Sequence, residues 1–182
     1  MTIAIRRNEL STNEPIRGRR LHSVIDLPVE VTGDLPWEQA VLLGAPDTET
    51  DDSIWKVGDL YPGTKGGQKT VVLSLCYLGP DISGPSWMIE EGLQFASDRN
   101  LTLAGPREVL AVGKQYPDLH KQLEVEIMYL LALYPFQMHM ALHIPQLRFC
   151  ESRRSLSSCG ADRRVNYYFP AWFVAIGKVD LF

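Results

Sequence analysis

Cysteine is scarce in this 182-residue chain. Cys76, Cys150 and Cys159 are an odd set with no CxxC pair, which excludes a disulfide framework and a zinc ribbon and fits a reducing compartment, the cytoplasm. Cys150 and Cys159 flank a polar segment and could close a loop if oxidised, whereas Cys76 lies inside the apolar run TVVLSLCYLG and reads as a buried small hydrophobe. A large charge excess is missing too. The formal net charge of −4 argues against overall attraction to nucleic acid or an anionic membrane. No apolar run reaches bilayer length: the best candidate, residues 127 to 144, is interrupted by Pro135, Gln137, His139 and His143 and falls short of the roughly 20 residues a span needs. The N-terminal MTIAIRRNELSTNEP carries no apolar core of signal-peptide length, so no secretory signal is expected. No internal repeat is present, which excludes a solenoid.

What is present is ordinary globular material, 45% apolar and 22% charged, enough for one domain with its own core. Residues 1–24 read as a polar arm with five arginines, Arg6, Arg7, Arg17, Arg19 and Arg20, and residues 25–182 as a single domain. SVIDLPVEV, from Ser23 to Val31, alternates like a strand, with Pro28 placing it at an edge or a break. WEQAVLLG, Trp37 to Gly44, suits a helical turn or a strand. SIWKVGDLYPGTKGGQKT reads as a short strand and a Gly-rich turn before a central β-branched strand, Thr70 to Leu78.

Two helices follow. In SWMIEEGLQFASDRN, Met88, Ile89, Gly92, Leu93, Phe95 and Ala96 share one stripe at helical spacing, and Asn100 suits the left-handed end. The second helix has an explicit start at Gly105, Pro106 and Glu108 and a stop at Pro117. Gly92 and Gly113 each cost about 1 kcal/mol relative to Ala inside a helix, so close backbone packing is expected at both. Strands are expected near Val125 to Tyr134, Met138 to Phe149, Val165 to Phe169 and Trp172 to Lys178. The fold class is therefore α+β, a mostly antiparallel sheet with two packed helices.

Candidate chemistry is thin. GTKGGQKT, Gly63 to Thr70, misses a P-loop by Gln68 and precedes a strand where a P-loop must open a helix; a plain hairpin turn is the simpler reading. DTETDD, Asp47 to Asp52, lacks the Gly and the Glu of a calcium loop and reads as a solvated acidic loop. His139 and His143 are the best metal pair, but the alternation of MHMALHI is that of a strand, which would hold them roughly 13 Å apart. No G-x-S-x-G elbow and no cysteine-protease signature occurs. Arg153, Arg154, Arg163 and Arg164 bracket SLSSCGAD in an expected loop, Glu151 to Arg164, and with Tyr167 and Tyr168 could form a recognition surface for protein, phosphate or nucleic acid.

LTLAGPREVLAVGKQYPDL, Leu101 to Leu119, resembles a segment of short bacterial proteins of unknown function, in which such a helix precedes several strands and a closing aromatic strand like AWFVAIGK. More distantly, the layout from Thr70 to Lys178 resembles the C-type-lectin-like fold. That resemblance implies a ligand-displaying scaffold and transfers no site residues, because the paired disulfides and the calcium-coordinating motif have no counterpart here. The leading expectation is a non-enzymatic binding module for another protein, with no cofactor. The alternatives are a small hydrolase or metal-assisted enzyme centred on His139 and His143, and nucleic-acid or phosphate binding through the arginine-rich loop.

Overall fold

The computed structural model describes residues 6–8, 23–50, 53–61, 67–77, 93–94, 96–138, 141–160 and 172–180. Among the described residues eight strands form one sheet: β1 (Arg6–Asn8), β2 (Ser23–Thr32), β3 (Gln68–Tyr77), β4 (Ile127–Ala132), β5 (Phe136–Met138), β6 (Ala141–Cys150), β7 (Arg153–Gly160) and β8 (Trp172–Asp180). The order across the sheet begins β1, β2, β3, β8, β4, β6. His143 pairs with both Phe136 and Gly160, and Gln146 with both Leu131 and Ser157. β4 and β5 therefore follow one another along one edge of β6, and β7 takes the other. Every pairing is antiparallel except that of β4 with β8. The class is α+β, as composition and periodicity indicate.

Strand alternation decides the core. Ile25, Leu27, Val29 and Val31 of β2 face the same side as Val71, Leu73 and Leu75 of β3, and all are buried. On that side lie α1 (Trp37–Gly44) and α2 (Pro106–Gln115), which pack on each other, and α2 also meets β2, β4 and β6. A one-turn helix, α3 (Leu119–Gln122), follows. β4 is buried on both faces, since Met128, Leu130 and Ala132 join the main core while Tyr129 and Leu131 are buried on the reverse. That explains the unbroken apolar run MYLLAL, the usual mark of a doubly covered strand.

α2 starts and stops where its sequence signals put it. Pro106 occupies the first turn, where its missing amide costs nothing. Glu108 Oε2 accepts the Gly105 N–H at 3.0 Å. The last helical residue is Gln115, two before Pro117. Gly113 is the close approach its cost implied: a Cβ there would lie 2.2 Å from Gly44 O, and one on Gly44 would lie 2.3 Å from Leu110 O. Of the first expected helix, the described part spans Leu93–Gln94 and 96–98 and ends at Asn100 with φ 52, the left-handed end expected there. Gly92 lies outside the described residues.

Pro28 sits where a missing amide is tolerated. Among the described residues β1 covers only Val24 to Asp26 of β2, and beyond it α2 side chains bond the β2 backbone. Tyr116 OH donates to Pro28 O at 2.6 Å, Gln115 Nε2 donates to Glu30 O at 2.7 Å, and Glu30 N–H donates to Gln115 Oε1 at 2.9 Å.

Several expectations need correction. The arm is not wholly separate, because Arg6–Asn8 joins the sheet and β2 begins at Ser23. Residues 53–60 form two 3₁₀ turns, Ser53–Lys56 and Gly58–Leu60, where a strand was expected. Gly67, φ 67, stands immediately before β3, and residues 63–66 of GTKGGQKT lie outside the described residues. Met138 pairs with Ala141, so the expected strand from Met138 to Phe149 is two strands that reverse between those residues. The strand expected at Val165 to Phe169 lies outside the described residues. The expected loop from Glu151 to Arg164 is, over Arg153–Gly160, the strand β7. Its polar sequence hid it, since its two buried side chains, Leu156 and Cys159, point to opposite faces. Among the described residues no helix is long and apolar enough to cross a membrane.

A candidate recognition cleft between aromatic side chains

β6 carries Pro145 in mid-strand. It falls in the gap between the β4 partner Gln146 and the β5 partner His143, where no ladder amide is called for. Opposite it the chain leaves the sheet at Leu133, turns with a Tyr134 N–H to Ala132 O hydrogen bond of 2.8 Å, and re-enters at Phe136. This interruption pushes Tyr134 out of the sheet, 53% exposed.

Tyr134 forms one lip of a cleft of about 320 Å³ above the N-terminus of α2. The other lip is Leu60, 50% exposed at the end of the second 3₁₀ turn. The buried Tyr61 lies between them, with Leu103 and Pro106 completing the apolar lining. Tyr61 stacks on Trp37 with ring centroids 5.5 Å apart and meets Tyr134 and Phe136 edge-on at 6.1 Å each, the preferred geometries for aromatic pairs.

The polar atoms in this cluster are committed inward. Tyr61 OH donates to Tyr134 O at 3.3 Å, and Trp37 Nε1 donates to Trp55 O at 3.0 Å. Arg107 donates from Nε to Tyr61 O at 2.9 Å and from Nη1 to Leu35 O at 2.6 Å, with its guanidinium 5.9 Å from the Trp37 ring centroid. Burial pulls this guanidinium below its ordinary pKa while Glu108 and Glu38 act in the opposite direction; an arginine stays charged all the same. Burial, reinforced by Tyr134, pushes the Tyr61 hydroxyl far up, so it remains a neutral donor. The cleft is a largely apolar receptor, with Leu60, Tyr134 and Thr102 the exposed residues of its lining.

The residues singled out from sequence fall elsewhere. Arg153 and Arg154 are consecutive in β7 and so project to opposite faces. Arg154 donates from Nε to Gly44 O at 3.3 Å on the helical side, while Arg153 is exposed at a separate groove on the reverse side. They make no common patch. Arg163, Arg164, Tyr167, Tyr168 and His139 lie outside the described residues. His143 is half-buried beside Phe136, its ring 5.7 Å from that ring, with Nδ1 3.2 Å from Ser158 Oγ. With His139 outside the described residues, the expected pairing of His139 with His143 has only its second member on β6. Among the described residues no three His, Cys, Asp or Glu side chains converge on a metal-sized site.

The start of the acidic loop is not simply solvated. Asp47 N–H donates to Arg154 O at 3.0 Å, Asp47 Oδ2 accepts the Arg154 N–H at 2.8 Å, and the buried Thr48 Oγ1 accepts the Leu156 N–H at 2.8 Å. These bonds close the free edge of β7, which would otherwise invite another strand. All three cysteines are free thiols. Cys150 and Cys159 cannot pair, since Cys159 lies opposite Ile144, six residues along β6 from Cys150, roughly 20 Å at the rise of a strand. Cys76 is fully buried, as its apolar run implied.

Comparison of the chain with family models, with curated proteins and with solved structures finds no match. The functional reading rests on the geometry alone.

Proposed function

We propose that this chain is a non-enzymatic recognition module whose aromatic cleft receives an apolar side chain of a partner protein. One observation carries the reading: Leu60 and Tyr134, each half-exposed, flank a cleft lined by the buried Tyr61, whose hydroxyl is spent on a backbone carbonyl. Such a surface offers chiefly contact area and shape, since Glu108 is buried and its Oε2 accepts the Gly105 N–H. Arg107 already lies over the Trp37 face, so the reading favours a neutral apolar anchor over a cationic one. A tyrosine lip beside an apolar pocket is the pattern of an interface hot spot, in which a few residues each contribute about 2 kcal/mol or more. A scaffold resembling the C-type lectins in layout would be compatible with display of such a cleft.

The test is selection of a random peptide library against the intact protein, with counter-selection against the Leu60→Ser/Tyr134→Ser double variant. The reading expects enriched peptides to share an apolar anchor and to bind the variant at least about tenfold more weakly. Peptides that bind both proteins equally would place recognition elsewhere.

A further inference from the structure

The reverse face of the β6–β7 hairpin holds a second concavity, an open groove of about 510 Å³, within the size range of small-ligand sites. Strand register sets its lining. Arg148 faces Ser155 and Cys150 faces Arg153 across the ladder, so both arginines share the face of the half-buried Cys150, with the Arg148 guanidinium 5.9 Å from the Tyr129 ring centroid. Asp47, Glu49 and Glu151 line it as well; the Asp47 carboxylate already accepts the Arg154 N–H, and Glu49 and Glu151 are exposed. The turn at Glu151, φ 55, is held in place because His120, buried in the core, donates from Nε2 to Glu151 O at 3.0 Å.

Among the described residues neither Arg148 nor Arg153 forms an ion pair with the groove's carboxylates. Opposite charges are thus held apart around a space that could take a ligand. An anion alone would meet the carboxylates, and a cation alone would meet the guanidinium groups; a ligand carrying both charges satisfies both walls. We infer that this groove binds a small zwitterion of dipeptide class, its carboxylate on Arg148 and Arg153 and its ammonium on Glu49 and Glu151. This site is independent of the aromatic cleft, so either can fail without the other.

The experiment is calorimetric titration of the intact protein with L-alanyl-L-alanine, its N-acetyl form, which keeps only the carboxylate, and its amide, which keeps only the ammonium. The proposal expects saturable binding of the free dipeptide in the millimolar range or tighter, with both blocked forms weaker by about tenfold or more. Cys76 and Cys159 are buried and Cys150 is not, so the dipeptide should also protect Cys150 selectively from iodoacetamide. Arg153→Gln and Glu49→Gln should each weaken binding about tenfold while circular dichroism stays unchanged. No saturation at about 10 mM, equal binding of a blocked form, or indifference to both substitutions overturns the proposal.

Discussion

The contact between α1 and α2 can be tested by adding one methyl group. In Gly113→Ala the new Cβ would stand 2.2 Å from Gly44 O, 2.9 Å from Leu147 Cδ2 and 3.0 Å from Gly44 C. A leucine tip can rotate away; a backbone carbonyl cannot. The helices would have to separate by about 1 Å, loosening core contacts packed at near-crystalline density. Better helix propensity returns up to about 1 kcal/mol, against overpacking that ordinarily costs about 1–3 kcal/mol and exceeds that range when backbone is struck. The expected net loss is about 2 kcal/mol, or roughly 4–8 °C in Tm for a chain of this length. Urea denaturation and calorimetry measure it. Gly67→Ala is the control: no atom lies within 4 Å of its Cβ, and only its φ of 67 opposes the change, so it should lose about 1 kcal/mol. Gly113→Ala as stable as the parent protein would refute the crossing, and with it the seat of Trp37 at the start of α1.

Two further outcomes follow from the same packing. A Cβ on Gly58 would meet Trp37 Cγ and Cδ1 at 2.8 Å, so Gly58→Ala should cost about 1–2 kcal/mol and red-shift the tryptophan fluorescence; an unshifted spectrum at full stability would contradict the packing of Gly58 on the ring. Burial raises the Cys159 thiol from 9.0 to about 12, so the folded chain keeps a proton the unfolded chain releases. That stability is fully present below about pH 9 and is lost as pH rises toward 12, at about 1.4 kcal/mol per pH unit. Between pH 9 and 10.5 Cys159→Ala should therefore lose stability less steeply than the parent protein in urea titrations, and parallel slopes would place the thiol in water.

α2 was readable in the sequence because every signal for it is local: proline in the first turn, a glutamate reaching back to the Gly105 amide, and Pro117 just beyond the end. The edge of β2 was readable through Pro28 for the same reason. β7 was not, because RRSLSSCG has neither clean alternation nor an apolar run; its Leu156 and Cys159 serve different faces, and its outer edge is closed by Asp47 and Thr48 from more than a hundred positions away. Nor was the cleft readable as a site. Trp37, Tyr61, Arg107 and Tyr134 are brought together only by the α1–α2 crossing and by the break in β4 and β5 opposite Pro145. The one local trace is that each of the three aromatics adjoins a proline, in Pro36–Trp37, Tyr61–Pro62 and Tyr134–Pro135.

The central claim, recognition through the cleft lips, is tested most directly by calorimetric titration of a library-selected peptide into the parent protein and Tyr134→Ser. Tyr134 is half-exposed and its ring meets Tyr61 edge-on, so the substitution should cost about 0.5–1.5 kcal/mol and leave the protein folded. The account predicts a Tm lowered by no more than about 6 °C with affinity reduced by about tenfold or more at a temperature where both proteins are folded. Equal affinity for the two proteins would contradict it.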